Sequence, residues 1–262
     1  MEPIRVDVIR RTFMILPSIG GATERRLWRE GILDWDCFLG CRHISGISET
    51  RKERLDGHLG IASEFLERGE TSYFCRLLPS REHWRLLEAA GDDVAFLDIE
   101  TNGLGQDAIT TVVGVHKGGE DTALVRGRDL SAASISRALE GAKLIVTYNG
   151  STFDLPMLER EFPFAVPRVP HFDLRHGCSR LGYAGGLKSV ERQLGIARDK
   201  DLEYMTGEQA VWLWHAWERK GSENALRTLL RYNMEDVKNL KPISRIVYDG
   251  LIARSLSQGT IV

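Results

Sequence analysis

The chain has 262 residues, 42% hydrophobic and 27% charged, with 35 basic against 37 acidic side chains and a formal net charge of −2. That composition excludes collagen-like, disordered and disulfide-scaffold classes, and it excludes a domain that coats nucleic acid by bulk positive charge. With no apolar run of ~18–20 residues, no export pattern in Met1-Glu2-Pro3-Ile4-Arg5 and scattered Cys37, Cys41, Cys75 and Cys178, a reducing, cytoplasmic setting without a membrane is expected.

From Met1 to about Ala90 the chain is Arg-rich, and Leu55, Leu59, Ala62 and Leu66 recur at helical spacing. Breaks at Gly20-Gly21, Gly31, Gly40 and Gly46 predict several short helices, with no internal repeat. Leu16-Pro17-Ser18-Ile19-Gly20-Gly21 resembles the turn of a helix-hairpin-helix element, with Ser18 where that family usually has Gly. Such a turn exposes backbone N–H groups at a helix start, so Gly20, Gly21 and Arg25, with Arg26 and Arg29 nearby, are candidate phosphate contacts. The alternative is a structural turn that packs on the rest of the chain. Cys37-x3-Cys41-x-His43 has no second Cys/His pair at ligand spacing and reads as buried or semi-buried thiols.

The texture changes near residue 90. Val94-Ala95-Phe96-Leu97-Asp98 suits a buried central strand. Asp98 and Glu100, two residues apart on a strand, present two carboxylates to one side. Burying both without a cation costs several kcal/mol, and Mg²⁺ or Mn²⁺ is the usual relief; an isolated Asp-x-Glu also suits solvated acids at a strand end. Thr110 to His116 and Thr122 to Arg126 predict a hairpin about Lys117-Gly118-Gly119-Glu120, Ser131 to Glu140 a helix, and Lys143 to Tyr148 a second buried strand. After it, Ser151 or Thr152 can cap a helix with Asp154 in its first turn, where an acid also suits the helix dipole alone. His171 and Asp173 read as structural groups at a strand end. Beyond Leu187 the pattern is nearly all helix. Trp212, Trp214 and Trp217 are expected in core or domain contacts rather than stacked on bases, and Tyr232 and Asp236 stand four residues apart on one helix face. The glycine pairs 118–119 and 185–186 lack phosphate-loop or dinucleotide context, so no nucleotide cofactor is expected. The order of elements predicts a mixed α/β domain.

Together, Asp98-Ile99-Glu100-Thr101, Asn149-x3-Phe153-Asp154 and Tyr232-x3-Asp236 resemble the three exonuclease motifs of the DEDD superfamily of ribonuclease H-like nucleases, in the tyrosine variant called DEDDy. The Tyr148 to Leu158 stretch is similar to the second motif of family B polymerase proofreading domains, and residues 90–255 resemble the YprB-type ribonuclease H-like domain. The resemblance implies a mixed sheet flanked by helices over residues 89–262, with a small helical domain over 1–88. It implies metal-dependent 3′–5′ hydrolysis of single-stranded nucleic acid, DNA favoured over RNA, releasing nucleoside 5′-monophosphates with two ions, Mg²⁺ or Mn²⁺. Asp98 would bridge both ions, Glu100 and Asp236 would complete one, Asp154 would hold the other, and Tyr232 would orient the attacking water. Thr101, Asn102, Gly103, Leu104, Asn149 and Phe153 match positions near the terminal nucleotide. The competing readings are a non-catalytic nucleic-acid-binding module and a structure-specific endonuclease on the same fold. No protein partner is legible.

Overall fold

The computed structural model describes residues 8–103, 105 and 107–259, so Leu104 lies outside the described residues. Its centre is a five-stranded sheet in the order β3-β2-β1-β4-β5. β1 (Val94–Thr101) pairs antiparallel with β2 (Thr110–Lys117), and β2 with β3 (Glu120–Val125). The β2–β3 turn is Gly118-Gly119, with φ of +59° and +85°; positive φ at both central residues matches the twist of the strands they join. After α5 (Ala132–Ala138), β4 (Leu144–Thr147) returns parallel to β1. β5 (His171–Asp173) then adds parallel to β4. Three residues are too short to show a period, but β5 lies where His171 and Asp173 are expected at a strand end.

Alternation sorts the strands onto two faces. Ala95, Leu97, Val113 and Ile145 pack beneath α5 and α6 (Asp154–Glu161) with Ile135 and Leu158. Phe96, Val146 and Phe172 face α7 (Leu174–Leu181) and the long C-terminal helix (Glu223–Gly259), meeting Cys178, Val237, Leu240 and Val247. Residues 98 and 100 share the parity of Phe96, so both acids point to the face the C-terminal helix crosses. The helix before it, Gly207–Lys220, packs Trp214 against Val112 and Leu229. Trp214 is buried and Trp217 partly so, as expected, but Trp212 is 67% exposed, because its place on that helix turns it away from the sheet.

Two expectations on capping and thiols are corrected. Neither Ser151 nor Thr152 caps α6: Phe153 holds that position without a side-chain cap, Ser151 Oγ donates to Asp173 at 2.5 Å, and Thr152 Oγ1 donates to Asn149. Asp154 is nonetheless in the first turn. Cys37 is exposed, because α2 (Trp35–Gly40) turns Trp35 and Phe38 inward instead.

The N-terminal part contains a repeat that the sequence reading did not find. Leu16 O accepts from Ile19 N at 3.2 Å, Ser18 has φ +59°, and Gly20 precedes α1 (Gly21–Arg29). The same turn recurs where Ile44 O accepts from Ile47 N at 3.0 Å, Gly46 has φ +70°, and Ser48 precedes α3 (Glu49–Glu67). Ser18 therefore adopts the left-handed conformation that favours glycine, at roughly 1 kcal/mol. The hairpins are clasped together: Arg26 donates to Ser45 O at 2.7 Å, and Arg51 to Ser18 O at 3.3 Å. Repeated geometry on dissimilar residues, Leu-Pro-Ser-Ile-Gly against Ile-Ser-Gly-Ile-Ser, hides the duplication from a letter-by-letter search. Ile9, Leu27, Trp35, Phe38, Leu55, Leu59 and Phe74 form this part's own core. Val8, Trp84, Leu87 and Ala90 instead join the core beneath the sheet. No helix among the described residues is long and apolar enough to cross a membrane.

Candidate active site

β1 carries Asp98 and Glu100 to the face where the C-terminal helix presents Asp236, and ligand atoms of the three carboxylates lie within 4.8 Å of one another. Asp154 comes from the first turn of α6 on the opposite side of β1. It is buried, and its Oδ1 accepts from Ile99 N at 3.2 Å, anchoring it beside the others but outside that mutual set. Crowding leaves its mark on the acids. Burial, then the negative charge of Asp154, holds the Asp98 carboxyl well above the usual range. Glu100 is raised likewise, first by burial and then by Asp98 and Asp154. Burial pushes Asp154 up to about 7. Clustered hard oxygen donors whose ionisation is opposed by one another fit a divalent cation, which would relieve that opposition.

The neighbouring cations partly offset the acids. The Arg198 guanidinium is hydrogen-bonded to Asp236 and stands 3.4 Å from Glu191, which accepts from Asn239 at 2.9 Å. Lys188 Nζ lies 2.9 Å from the buried Tyr232 hydroxyl and 4.3 Å from the centre of its ring. Burial, then the nearby Arg198 charge, lowers Lys188 to about 8, while burial and the adjacent acids raise Tyr232. Tyr232 is thus a neutral phenol.

Asn233, fully buried on the C-terminal helix, donates Nδ2 to Asp98 Oδ2 at 2.9 Å, and Nδ2 also lies 3.3 Å from Asp98 O. The close approach is possible because Gly114 stands opposite Asp98: a β-carbon there would lie 2.1 Å from Asn233 Oδ1. Sequence reasoning missed Asn233, Gly114, Lys188 and Arg198. Gly114 alone carried a signal, a glycine inside a β-branched run.

The predicted substrate contacts fall into different places. The buried Thr101 donates its hydroxyl to Gly103 O at 2.7 Å, and Asn102 Oδ1 accepts from Ile109 N at 2.9 Å, so both brace the loop after β1. Asn149, at φ +68°, accepts from Arg175 Nη1 at 2.5 Å. Phe153 packs against the core under α6. Gly150 cannot carry a side chain, since a β-carbon would meet Thr147 Oγ1 at 2.3 Å. His171 Nε2 lies 2.9 Å from Thr147 Oγ1, and Asp173 caps α7 while accepting from Asn149 N and Ser151 N, so both serve the strand-end architecture. In the first hairpin Gly20 caps α1 with no side-chain hydrogen bond, and Arg25 is exposed with its guanidinium 3.3 Å from where a Gly21 β-carbon would stand.

A model of the RNase H superfamily matches residues 95–248, a span that contains Asp98, Glu100, Asp154, Tyr232 and Asp236. The uncharacterized protein YprB of Bacillus subtilis (strain 168) is 31% identical over 169 residues, covering 57% of this chain and 40% of that protein. The chain thus spans less than half the length of that relative. The family B DNA polymerase of the hyperthermophilic archaeon Pyrobaculum calidifontis is similar in structure with a TM-score of 0.45 and 18% identity, over 62% of this chain and 24% of the polymerase chain.

Proposed function

This chain belongs to the RNase H superfamily, and we propose that it is a divalent-metal-dependent 3′–5′ exonuclease that shortens single-stranded nucleic acid, DNA in preference to RNA. The observation that carries the reading is the meeting of Asp98, Glu100 and Asp236 from two distant elements, with Asp154 and Tyr232 beside them. Asp98, Glu100 and Asp236 would hold one Mg²⁺ or Mn²⁺, and Asp154 would share a second with Asp98. Such ions supply charge stabilisation at a scissile phosphate and an acidified water.

The chain's own groups do the positioning. Lys188 donates to the Tyr232 oxygen, so the phenol proton is free to point into the cleft. As a phenol with a raised pKa, Tyr232 donates a hydrogen bond to the attacking water or a phosphate oxygen; it does not remove a proton. Lys188 adds positive charge where the phosphodiester lies. Asn233 holds Asp98 in one orientation, and Arg198 does the same for Asp236. The loop after β1, with Thr101, Asn102 and Gly103, and the Asn149 turn would form a rim along which the substrate strand runs. Gly20, Gly21 and Arg25 would grip a phosphate further along the strand, since no side chain caps that helix start. Residues 1–88 act as the strand-holding part and 89–262 as the nuclease, in a cytoplasmic setting.

The test is hydrolysis of 5′-end-labelled single-stranded DNA and RNA in Mg²⁺ or Mn²⁺. A ladder that shortens one nucleotide at a time from the 3′ end, lost in Asp98→Ala, is expected. Internal cuts, or no hydrolysis with either ion, would refute the reading.

A further inference from the structure

Tyr232 and Asp236 also line a cavity of about 500 Å³ beside the carboxylate cluster. Its other walls are the helix Leu187–Leu194, through Lys188 and Arg192, and the loop leading to Gly207, through Glu203 and Tyr204. Lys188 and Arg192 are four residues apart and share one helix face. Tyr204 is 79% exposed, a large aromatic ring left in water at the rim of a reaction cleft. No sequence motif singles it out, and its exposure means that it does not hold the fold together.

Resting on the nuclease reading, we propose that this cavity seats one unpaired nucleotide of the substrate strand, its base stacked on Tyr204 and its phosphate between the Lys188–Arg192 face and the Tyr232–Asp236 edge. The chemistry of the three walls matches the three parts of that ligand. An aromatic face takes any base without reading its hydrogen-bonding edge. The two cations meet the phosphate, and the reacting groups stand at the same cavity's edge. A volume of about 500 Å³ falls in the range of small-molecule seats; a duplex end would have to unpair before its last base could enter. A stack on Tyr204 therefore carries little preference among bases.

The test uses the full chain carrying Asp98→Asn, so that the strand is held uncut, and a short oligothymidylate ending in 3′ 2-aminopurine. Stacking is expected to quench the terminal 2-aminopurine, while the same base at an interior position stays bright. Tyr204→Ala should abolish the quench and weaken binding roughly ten- to hundredfold, with an unchanged melting curve, and Tyr204→Trp should restore both. An abasic 3′ end should bind weakly and equally to the parent and to Tyr204→Ala. Undiminished quench and affinity in Tyr204→Ala, or equal quench at the interior position, overturns the seat. The two ideas fail separately. Ordinary hydrolysis with an unaltered KM in Tyr204→Ala alone removes the seat and leaves the nuclease, whereas a Tyr204-dependent quench in a chain that never hydrolyses the strand removes the nuclease and leaves the seat.

Discussion

Gly114→Ala is the substitution whose effect the structure fixes most narrowly. The new methyl would stand 2.1 Å from Asn233 Oδ1 and 2.8 Å from Val237 Cγ2, in a buried seam between β2 and the C-terminal helix. Asn233 must withdraw by more than an ångström, and in doing so it releases its 2.9 Å hydrogen bond to Asp98. Overpacking costs about 1–3 kcal/mol, and a hydrogen bond to a charged group about 1.5–3 kcal/mol. A total of roughly 2.5–6 kcal/mol lowers Tm by about 5–24 °C for a chain of this size. Differential scanning calorimetry of the metal-free protein reads this directly, with no assumption about substrate. Adding Asn233→Ala deletes the obstructing amide, so the double variant should be less destabilised than the sum of the singles by about 1–3 kcal/mol. The rescue is partial because Val237 still crowds the methyl. If Gly114→Ala melts with the parent, or the two losses simply add, Gly114 does not make room for Asn233.

The remaining tests probe the acids, the phenol and the hairpin. An acid with a raised pKa binds its proton more tightly folded than unfolded, so Asp154, shifted from 3.8 to about 7, contributes stability below about pH 4 that is lost as pH rises towards 7. Metal-free protein should therefore be less stable at pH 8 than at pH 5. Asp154→Asn should flatten that slope by an amount on the order of a few kcal/mol, and an unchanged urea midpoint profile across that range would refute it. Tyr232→Phe should slow strand shortening tenfold to a thousandfold, as for loss of a positioning group, without moving the Mn²⁺ midpoint. Asp236→Asn should shift that midpoint upward, and calorimetric Mn²⁺ titration of both variants separates the two roles. Arg25→Ala should weaken binding of long strands about two- to fivefold and reduce its salt dependence, leaving cleavage of very short strands unchanged; equal loss on both lengths, read by polarisation and by turnover, would leave the first hairpin a packing turn.

Much of the sheet was legible because its signals are local. Val94 to Leu97 forms an apolar run, the Gly118-Gly119 turn needs positive φ, and Tyr232 and Asp236 are one helical turn apart. The three carboxylates that meet were legible for the same reason, Asp98 and Glu100 sharing one short pattern and Asp236 sitting in another. What the sequence concealed depends on contacts between distant segments. The second hairpin shares conformation with the first but few letters. Ser151 could have capped α6, yet Asp173, from a strand beyond that helix, competes for its hydroxyl and wins. Trp212 stands two residues before the buried Trp214, on the other side of their helix, and faces water.

The compensation around the acids shows the same division at the level of charge. The motifs announce Asp98, Glu100, Asp154 and Asp236 but nothing of what makes so many acids tolerable in one cleft. Lys188 comes from a helix 44 residues before Tyr232 in sequence, and Arg198 reaches Asp236 across a separation of 38. Each lies too far along the chain to be paired by eye. Their effects are also unequal. Arg198 is buried and paired with both Glu191 and Asp236, so it holds Asp236 in one orientation. Lys188 is half-buried against the phenol with its pKa drawn down to about 8, so its charge is the adjustable one, strengthened whenever a phosphate or a further negative group enters the cleft. In the proposed nuclease, the buried cation on the acid would hold the site and the half-buried one on the tyrosine would meet the substrate.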